Sequence, residues 1–223
     1  MSTSRDRVRQ ALSHQGSDRI PVDFGATAVT GIHCRVVEAL RKHYGLSYKP
    51  VKIVDTFQML GEVDRDLADA MGVDCIGVGG TRDIFDHDTE CMHEQVTPWG
   101  QKVLVPIQLD LTQDKEGDVY VYAGGDKNYP PSAVMPNGCF FINAIERQQP
   151  IDEDKLDPMD NLEEFNSITD EELDAYKKKV NEASATGRAV VASFGGTALG
   201  DVAFVPGMGL KAVSYTHLTL PTT

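Results

Sequence analysis

Apolar residues recur at helical spacing in some stretches of the chain and gather into short runs in others. The opening pattern predicts a helix from Ser4 to about Ser13, with Val8, Ala11 and Leu12 on one face and Ser4 as its cap. Arg19-Ile20-Pro21-Val22-Asp23-Phe24 reads as a short buried strand, followed by a small-residue loop from Gly25 to Gly31 that contains Thr27 and Thr30. A second helix is expected over Ile32 to Tyr44, with the stripe Ile32, Val36, Val37 and Leu40 and with Gly45 just past its end. A third runs from about Phe57 to Met71, carrying Leu60, Val63, Leu67 and Met71 on one side, with Gly72 after it. Val73 to Val78 is then a strand, ended by Gly79, Gly80 and Thr81.

From about Glu94 to Asn143 the pattern turns β-rich. Val103 to Val105, Val119 to Tyr122 and Cys139 to Ile142 are short β-type runs separated by turn signals such as Pro98-Trp99-Gly100 and Gly124-Gly125-Asp126, with Trp99 the expected anchor of the excursion. Helical pattern resumes near Asn161. Thr169 and Glu172 are spaced as a capping box ahead of Leu173, Tyr176, Val180 and Ala183, and Gly187 closes the helix. Arg188 to Phe194 is a strand, followed at once by Gly195-Gly196-Thr197. Strands joined through helices run parallel, so the class is α/β. A TIM (β/α)8 barrel takes about 250 residues. The pattern shows only part of one, with a β-rich insertion, and a doubly wound sheet fits the periodicity equally.

The net charge is −13, with much of the acid between Asp152 and Glu182, which reads as solvated helix and linker surface. Such a surface repels phosphate backbones and anionic lipid, so neither nucleic acid nor a membrane is an expected partner. The N-terminal residues are polar, without an apolar signal core, and Cys34, Cys75, Cys91 and Cys139 are widely spaced. Both features fit a reduced cytoplasmic compartment.

The end of the chain differs in kind. Val213-Ser214-Tyr215-Thr216-His217-Leu218-Thr219-Leu220-Pro221-Thr222-Thr223 has no charge and no periodicity. It resembles the in-frame translation of an adaptor used in sequencing libraries, and a natural polar tail is the other reading. Residues 212–223 are therefore taken as a non-native tail behind a domain of residues 1–211, and His217 is no ligand candidate.

Candidate chemistry gathers behind the strands. Gly25, Thr27 and Thr30, then Gly79, Gly80 and Thr81, then Gly195, Gly196 and Thr197 stand where parallel α/β proteins bind small molecules. Small residues there let a ligand approach the backbone, and Thr hydroxyls can hold its polar edges; tight turns would use the same residues. None of these loops has the spacing of a nucleotide-binding motif. Asp23, in a strand with apolar neighbours, is either structural or catalytic. His87, Cys91 and His93 are zinc-competent and close together. Without a second ligand pair of matching spacing, a polar loop leading into the β-insert is the favoured reading. His33-Cys34 is read as packing.

Arg5-Asp6-Arg7-Val8-Arg9-Gln10-Ala11-Leu12 with Asp18-Arg19-Ile20-Pro21-Val22-Asp23-Phe24-Gly25 resembles the opening of the uroporphyrinogen decarboxylase superfamily. Met135-Pro136-Asn137-Gly138-Cys139-Phe140-Phe141 is similar to the insert of its divergent bacterial members, and Ala189 to Phe204 to its central strand and Gly-rich turn. The resemblance implies a TIM barrel with its site at the carboxyl face. The family holds cofactor-free decarboxylases of a tetrapyrrole and corrinoid-dependent methyltransferases, the latter often with zinc. The decarboxylase's Arg-Gln-Ala-Gly-Arg-Tyr motif is replaced here by Gly25-Ala26-Thr27-Ala28-Val29-Thr30-Gly31, without a cation for substrate carboxylates. Its second-strand acid is replaced by Gly79-Gly80-Thr81, and its tyrosine by Phe204.

The resemblance therefore implies methyl transfer from a small methylated substrate, with a corrinoid protein as partner and zinc ligands in the later half of the barrel. A tetrapyrrole or small-acid decarboxylase and a non-catalytic small-molecule binder are the alternatives. No cofactor is assigned to residues 1–211 themselves. An open barrel exposes a strand edge and an apolar sheet face, so residues 1–211 alone are expected to be inactive and to aggregate. Size exclusion and calorimetry check this, and a monomer that melts cooperatively is the contrary outcome.

Overall fold

The computed structural model describes residues 2–145, 168–193, 202–205 and 209–212. Helix α1 (Ser4–Leu12) is capped by Thr3 rather than by Ser4. The reason is spacing: Asp6 stands three residues after Thr3, and each side chain accepts the other's backbone N–H. No residue of α1 is fully buried: Val8 of the expected apolar face is half-buried, whereas Ala11 and Leu12 are exposed, Leu12 to 77 %.

Residues 19–24 form no strand, contrary to expectation. Pro21 lacks an N–H, and the Val22 N–H goes to the Asp74 carboxylate at 2.9 Å instead of to a ladder carbonyl. Ile20 is 84 % exposed. The segment is nonetheless extended beside the following strand, with the Asp74 N–H donating to the Val22 carbonyl at 2.7 Å.

Strand β1 (Ile32–His33) leads into α2 (Cys34–His43), whose N-terminus is capped by the His33 imidazole accepting the Arg35 N–H. The buried face of α2 is Cys34, Val37 and Arg41, rotated from the expected stripe so that Val36 is half exposed. The guanidinium of Arg41 sets this rotation, because it reaches Asp64 and Asp66 at 2.7 and 2.8 Å and can be buried only where they are. The helix ends as expected. Gly45 takes φ +68°, Gly45 N–H bonds the Lys42 carbonyl, and Leu46 N–H bonds that of Arg41.

The expected long helix over 57–71 is mostly replaced by a hairpin. Strand β2 (Val51–Asp55) buries Val51 and Ile53 and exposes Val54, the alternation of a half-buried strand. It pairs antiparallel with β3 (Leu60–Gly61), the register slipping between Ile53 and Asp55. Helix α3 (Arg65–Met71) starts only where Asp64 caps the Leu67 N–H. Strand β4 (Cys75–Val78) follows, as expected.

The β-rich region divides in two. Strands β5 (Met92–Val96) and β6 (Lys102–Pro106) form a hairpin, and β6 joins β2 in parallel, giving a five-stranded sheet ordered β1-β3-β2-β6-β5. Strands β7 (Val119–Val121), β8 (Ala133–Met135) and β9 (Asn143–Ala144) form a separate antiparallel sheet. The expected run over 139–142 is a turn, the Cys139 N–H bonding the Pro136 carbonyl, and the strands lie on either side of it. Trp99 packs on His33 and Phe140. Val37, Ile53, Met59, Phe85, Val103 and Val119 belong to one buried cluster that joins the two sheets.

Helix α4 (Asp170–Ala185) carries the expected Thr169–Glu172 capping box, and β10 (Ala189–Ala192) pairs in parallel with β4. Strands β11 (Val202–Val205) and β12 (Gly209–Ala212) form a hairpin. The architecture is mixed α/β with several sheets, and the described strands close no barrel. No helix among the described residues is long and apolar enough to cross a membrane.

Asp74 locks these pieces together. Its fully buried carboxylate accepts from Arg7 of α1 at 3.0 Å, from Arg19 at 2.6 Å and from the Val22 N–H, while its own carbonyl accepts the Ala189 N–H at 2.9 Å. Burial alone would raise this carboxyl. The Val22 N–H and a Ser4 contact, with the guanidinium groups of Arg19 and Arg7, outweigh it and hold the carboxyl below its usual range. Its stabilising contribution is thus complete above the unfolded value of about 3.9 and disappears as pH falls through the lower folded value. Asp74→Ala leaves two guanidinium groups without their acid and is expected to cost about 3–5 kcal/mol in urea unfolding of the full-length protein. Asp74→Asn should lose most of the same amount at pH 7, and its gap from wild type should narrow below about pH 4.

Candidate functional site

Strands β4 and β10 run in parallel, and the chain from Val22 into the first loop lies against the other side of β4. Val22 is opposite Asp74 and Ala26 lies over Gly77, so residues 22–26 follow β4 in parallel, and β10 follows it on the other flank. Gly77 permits this approach. A Cβ there would lie 2.0 Å from the Ala26 carbonyl oxygen. The small residues of the first loop thus bring backbone against backbone.

The loop from Asp23 to Gly31 binds itself. Gly25 N–H bonds the Thr30 carbonyl at 2.8 Å, and Thr27 N–H bonds the Thr30 hydroxyl at 3.3 Å. One Asp23 oxygen accepts the Ala26 N–H, and the other accepts the Thr30 hydroxyl, both at 3.2 Å. Asp23 is half-buried and holds the loop's shape. The second expected loop differs. Gly79 and Gly80 are exposed with open space around them, and Thr81 accepts the Thr89 N–H through its carbonyl. Lys179 of α4 clasps both ends of this loop, reaching the Gly80 carbonyl at 3.1 Å and Glu90 at 2.7 Å. The third, Gly195 to Thr197, lies outside the described residues, and at Phe204 only the backbone is described.

The zinc-competent trio does not converge. His87 is wholly buried, with its Nε2 donating to the Tyr122 carbonyl at 2.9 Å. His93 lies on β5 against Leu109 and Gln95, and Cys91 is exposed. Among the described residues no group of three His, Cys, Asp or Glu side chains could hold a metal ion. His33 caps α2 and Cys34 is fully buried, its thiol pushed up to about 12 by that burial.

A polar cluster that the sequence reading did not single out sits between the β2–β3 hairpin and the loop after β4. Asp83 is its centre. One oxygen accepts the N–H groups of Phe85 and His87, each at 2.9 Å, and the other accepts the Thr56 hydroxyl. His87 Nδ1 lies 3.2 Å from that second oxygen, at ion-pair distance but off the line of a hydrogen bond. Burial would raise the Asp83 carboxyl, but the contacts with His87 and Thr56 hold it below its usual range. Asp55 closes β2 beside it. The Gln58 N–H donates to it at 2.7 Å, and the Gln58 side chain and the Phe57 N–H also bond it, but burial, with the Asp83 charge adding to it, outweighs them and pushes the Asp55 carboxyl up. The signal for Asp55 was present in the alternation of Val51-Lys52-Ile53-Val54-Asp55, which ends a strand on an acid.

Asp55 ends β2 and Asp83 follows β4, while the cations near the loop after β4 are paired, Arg82 with Asp86 at 3.0 Å and Lys179 of α4 with Glu90 at 2.7 Å. Compared with family models, curated proteins and solved structures, the chain matches none.

A carboxyl raised in the folded state disfavours folding once it ionises. Asp55 therefore lowers stability as pH climbs from about 3.9 through its raised folded value. Asp55→Asn keeps the oxygen that Gln58 bonds and removes the charge. At pH 7 it is expected to raise the melting temperature of the full-length protein by about 2–4 °C, equivalent to about 1 kcal/mol, with the gap closing toward pH 4. A melting temperature lowered at pH 7 would contradict the assignment.

Proposed function

We propose that the chain forms part of a TIM barrel of the uroporphyrinogen decarboxylase type and serves corrinoid-linked methyl transfer from a small methylated substrate. The observation that carries this reading is the parallel pair β4 and β10, with the loop that begins at Asp23 laid against β4 on its other side and Gly79 and Gly80 open after β4. Parallel strands place a ligand site at their carboxyl ends. A neutral or cationic substrate is favoured over a polycarboxylate, because Asp83 beside the loop after β4 would repel it while Arg82 and Lys179 are already paired. This sets the tetrapyrrole decarboxylase second. His87, Cys91 and His93 do not suit zinc, so no step is assigned to a metal held by them.

In this reading the loops after residues 22–26 and β4 surround the methylated molecule. The backbone at Gly79 and Gly80 is open to it, and Thr81 borders it. The full-length protein is mixed with fully reduced cobalamin and, separately, methanol or dimethylammonium. The expected outcome is conversion of the reduced corrin spectrum to that of the methylated form with at least one donor. Carbon dioxide release from uroporphyrinogen without any methyl transfer would overturn the reading.

A further inference from the structure

Arg5, Val8, Arg9 and Leu12 follow the spacing i, i+3, i+4, i+7 and so share one face of α1. That face does not close onto β10. Between them lies a cavity of about 330 Å³, whose far wall is Ala189 and Val190, the first two residues of the strand, with Ser184 of α4 at its end. The volume is at the lower limit of small-ligand pockets. The cavity stands at the amino end of β10, away from the loops that follow the strands, and its role does not depend on the methyl-transfer reading.

Its two arginines differ from their neighbours. Arg7, Arg19 and Arg188 are each paired with an aspartate. Although the chain carries a net charge of −13, neither Arg5 nor Arg9 has a carboxylate at ion-pair distance among the described residues. Asp6, between them in sequence, accepts from the Thr3 N–H and hydroxyl instead. Arg5 is held by neutral groups only. Its Nε donates to the Arg188 carbonyl at 3.3 Å and its Nη2 to the Ser184 carbonyl at 2.8 Å, which leaves Nη1 without a partner. The Arg9 side chain is exposed and makes no hydrogen bond among the described residues. A guanidinium already fixed in place, with donors to spare, loses little freedom on taking up an anion.

The rest of the lining is apolar: Val8, Leu12, Ala189 and Val190. Leu12 is 77 % exposed. A bare inorganic anion would leave this wall in water, and an uncharged apolar molecule would leave both guanidinium groups unused. We propose that the cavity binds a small amphipathic anion, an alkyl chain ending in one carboxylate. The carboxylate sits between Arg5 Nη1 and the Arg9 guanidinium, and the chain lies along Val8, Leu12 and Val190. Such a ligand bridges α1 and β10.

The test is direct binding. Octanoate is titrated into the full-length protein and followed by calorimetry. The expected result is saturation at one site per chain, with a melting temperature that rises with octanoate concentration. Octanol and octylammonium keep the chain and change the head, and acetate keeps the head and loses the chain; each should bind at least about tenfold more weakly. Arg9→Gln and Leu12→Ser alter exposed positions. The first should weaken octanoate about tenfold, as loss of a charge-assisted hydrogen bond implies. The second should weaken it about fourfold, the equivalent of one buried methylene. Absence of saturable octanoate binding overturns the proposal. So does equal binding of octanol, which would mark apolar partition without the arginines, and so does octanoate binding unchanged in both variants. Adsorption to phosphatidylglycerol vesicles without binding of dissolved octanoate overturns it too, making this face a lipid contact. The head-group series uses wild-type protein alone and decides the matter whether or not either variant folds.

Discussion

A carboxylate removed from water must find its compensation in the protein, and Asp74 organises much of this fold by that requirement. It stands just ahead of β4 with no solvent exposure, so Arg7 of α1, Arg19 and the Val22 N–H have to come to it. Neighbouring arginines repeat the device. Arg5 donates to the carbonyls of Ser184 and Arg188, and Arg188 donates to the Val73 carbonyl and pairs with Asp69. Buried pairs of this kind add little net stability over apolar packing, but mismatching them is costly. Their effect here is to specify arrangement: α1, residues 19–22, β4 and β10 fit together in the register that satisfies these groups.

That register determines what the small residues do. Gly77 faces the Ala26 carbonyl because Asp74 has already fixed Val22 beside it. The first loop, drawn onto β4, satisfies its polar groups internally through Asp23 and Thr30. The loop after β4 has open space where Cβ atoms would stand at Gly79 and Gly80, and Lys179 holds it through the Gly80 carbonyl and Glu90. The same composition of Gly and Thr thus gives one loop closed on itself and one open to an incoming molecule.

What the sequence made legible follows from how local the deciding interaction is. The Thr169–Glu172 box, the Gly45 helix end and the Ala189–Ala192 strand are settled within a few residues and were read correctly. The stretch 57–71 reads as a helix because Leu60, Val63, Leu67 and Met71 fit a helical stripe equally well. What decides against a helix there is remote: Leu60 and Gly61 find β1 and β2 as partners, and Asp64 is held by Arg41. Residues 19–24 depart from the expected strand for a similar reason, since Asp74 supplies an acceptor where a strand would supply a carbonyl. Of the candidate site, the loops behind the strands were visible from composition. Asp83 was hidden, because its partners Thr56 and His87 come from separate segments and only the folded chain joins them.

The two acids at the end of β2 and after β4 show how one fold can treat identical groups in opposite ways. Asp83 receives three donors and is comfortable as an anion. Asp55 accepts from Gln58 and from the Phe57 N–H, yet burial, with the charge of Asp83 adding to it, outweighs them. If packing alone had shaped this corner, an asparagine at position 55 would keep the Gln58 bond and avoid the buried charge. An acid there opposes stability, next to a slipped register and a buried residue of positive φ that oppose it too. The two acids thus differ through what separate segments of the chain bring to them, not through their own chemistry.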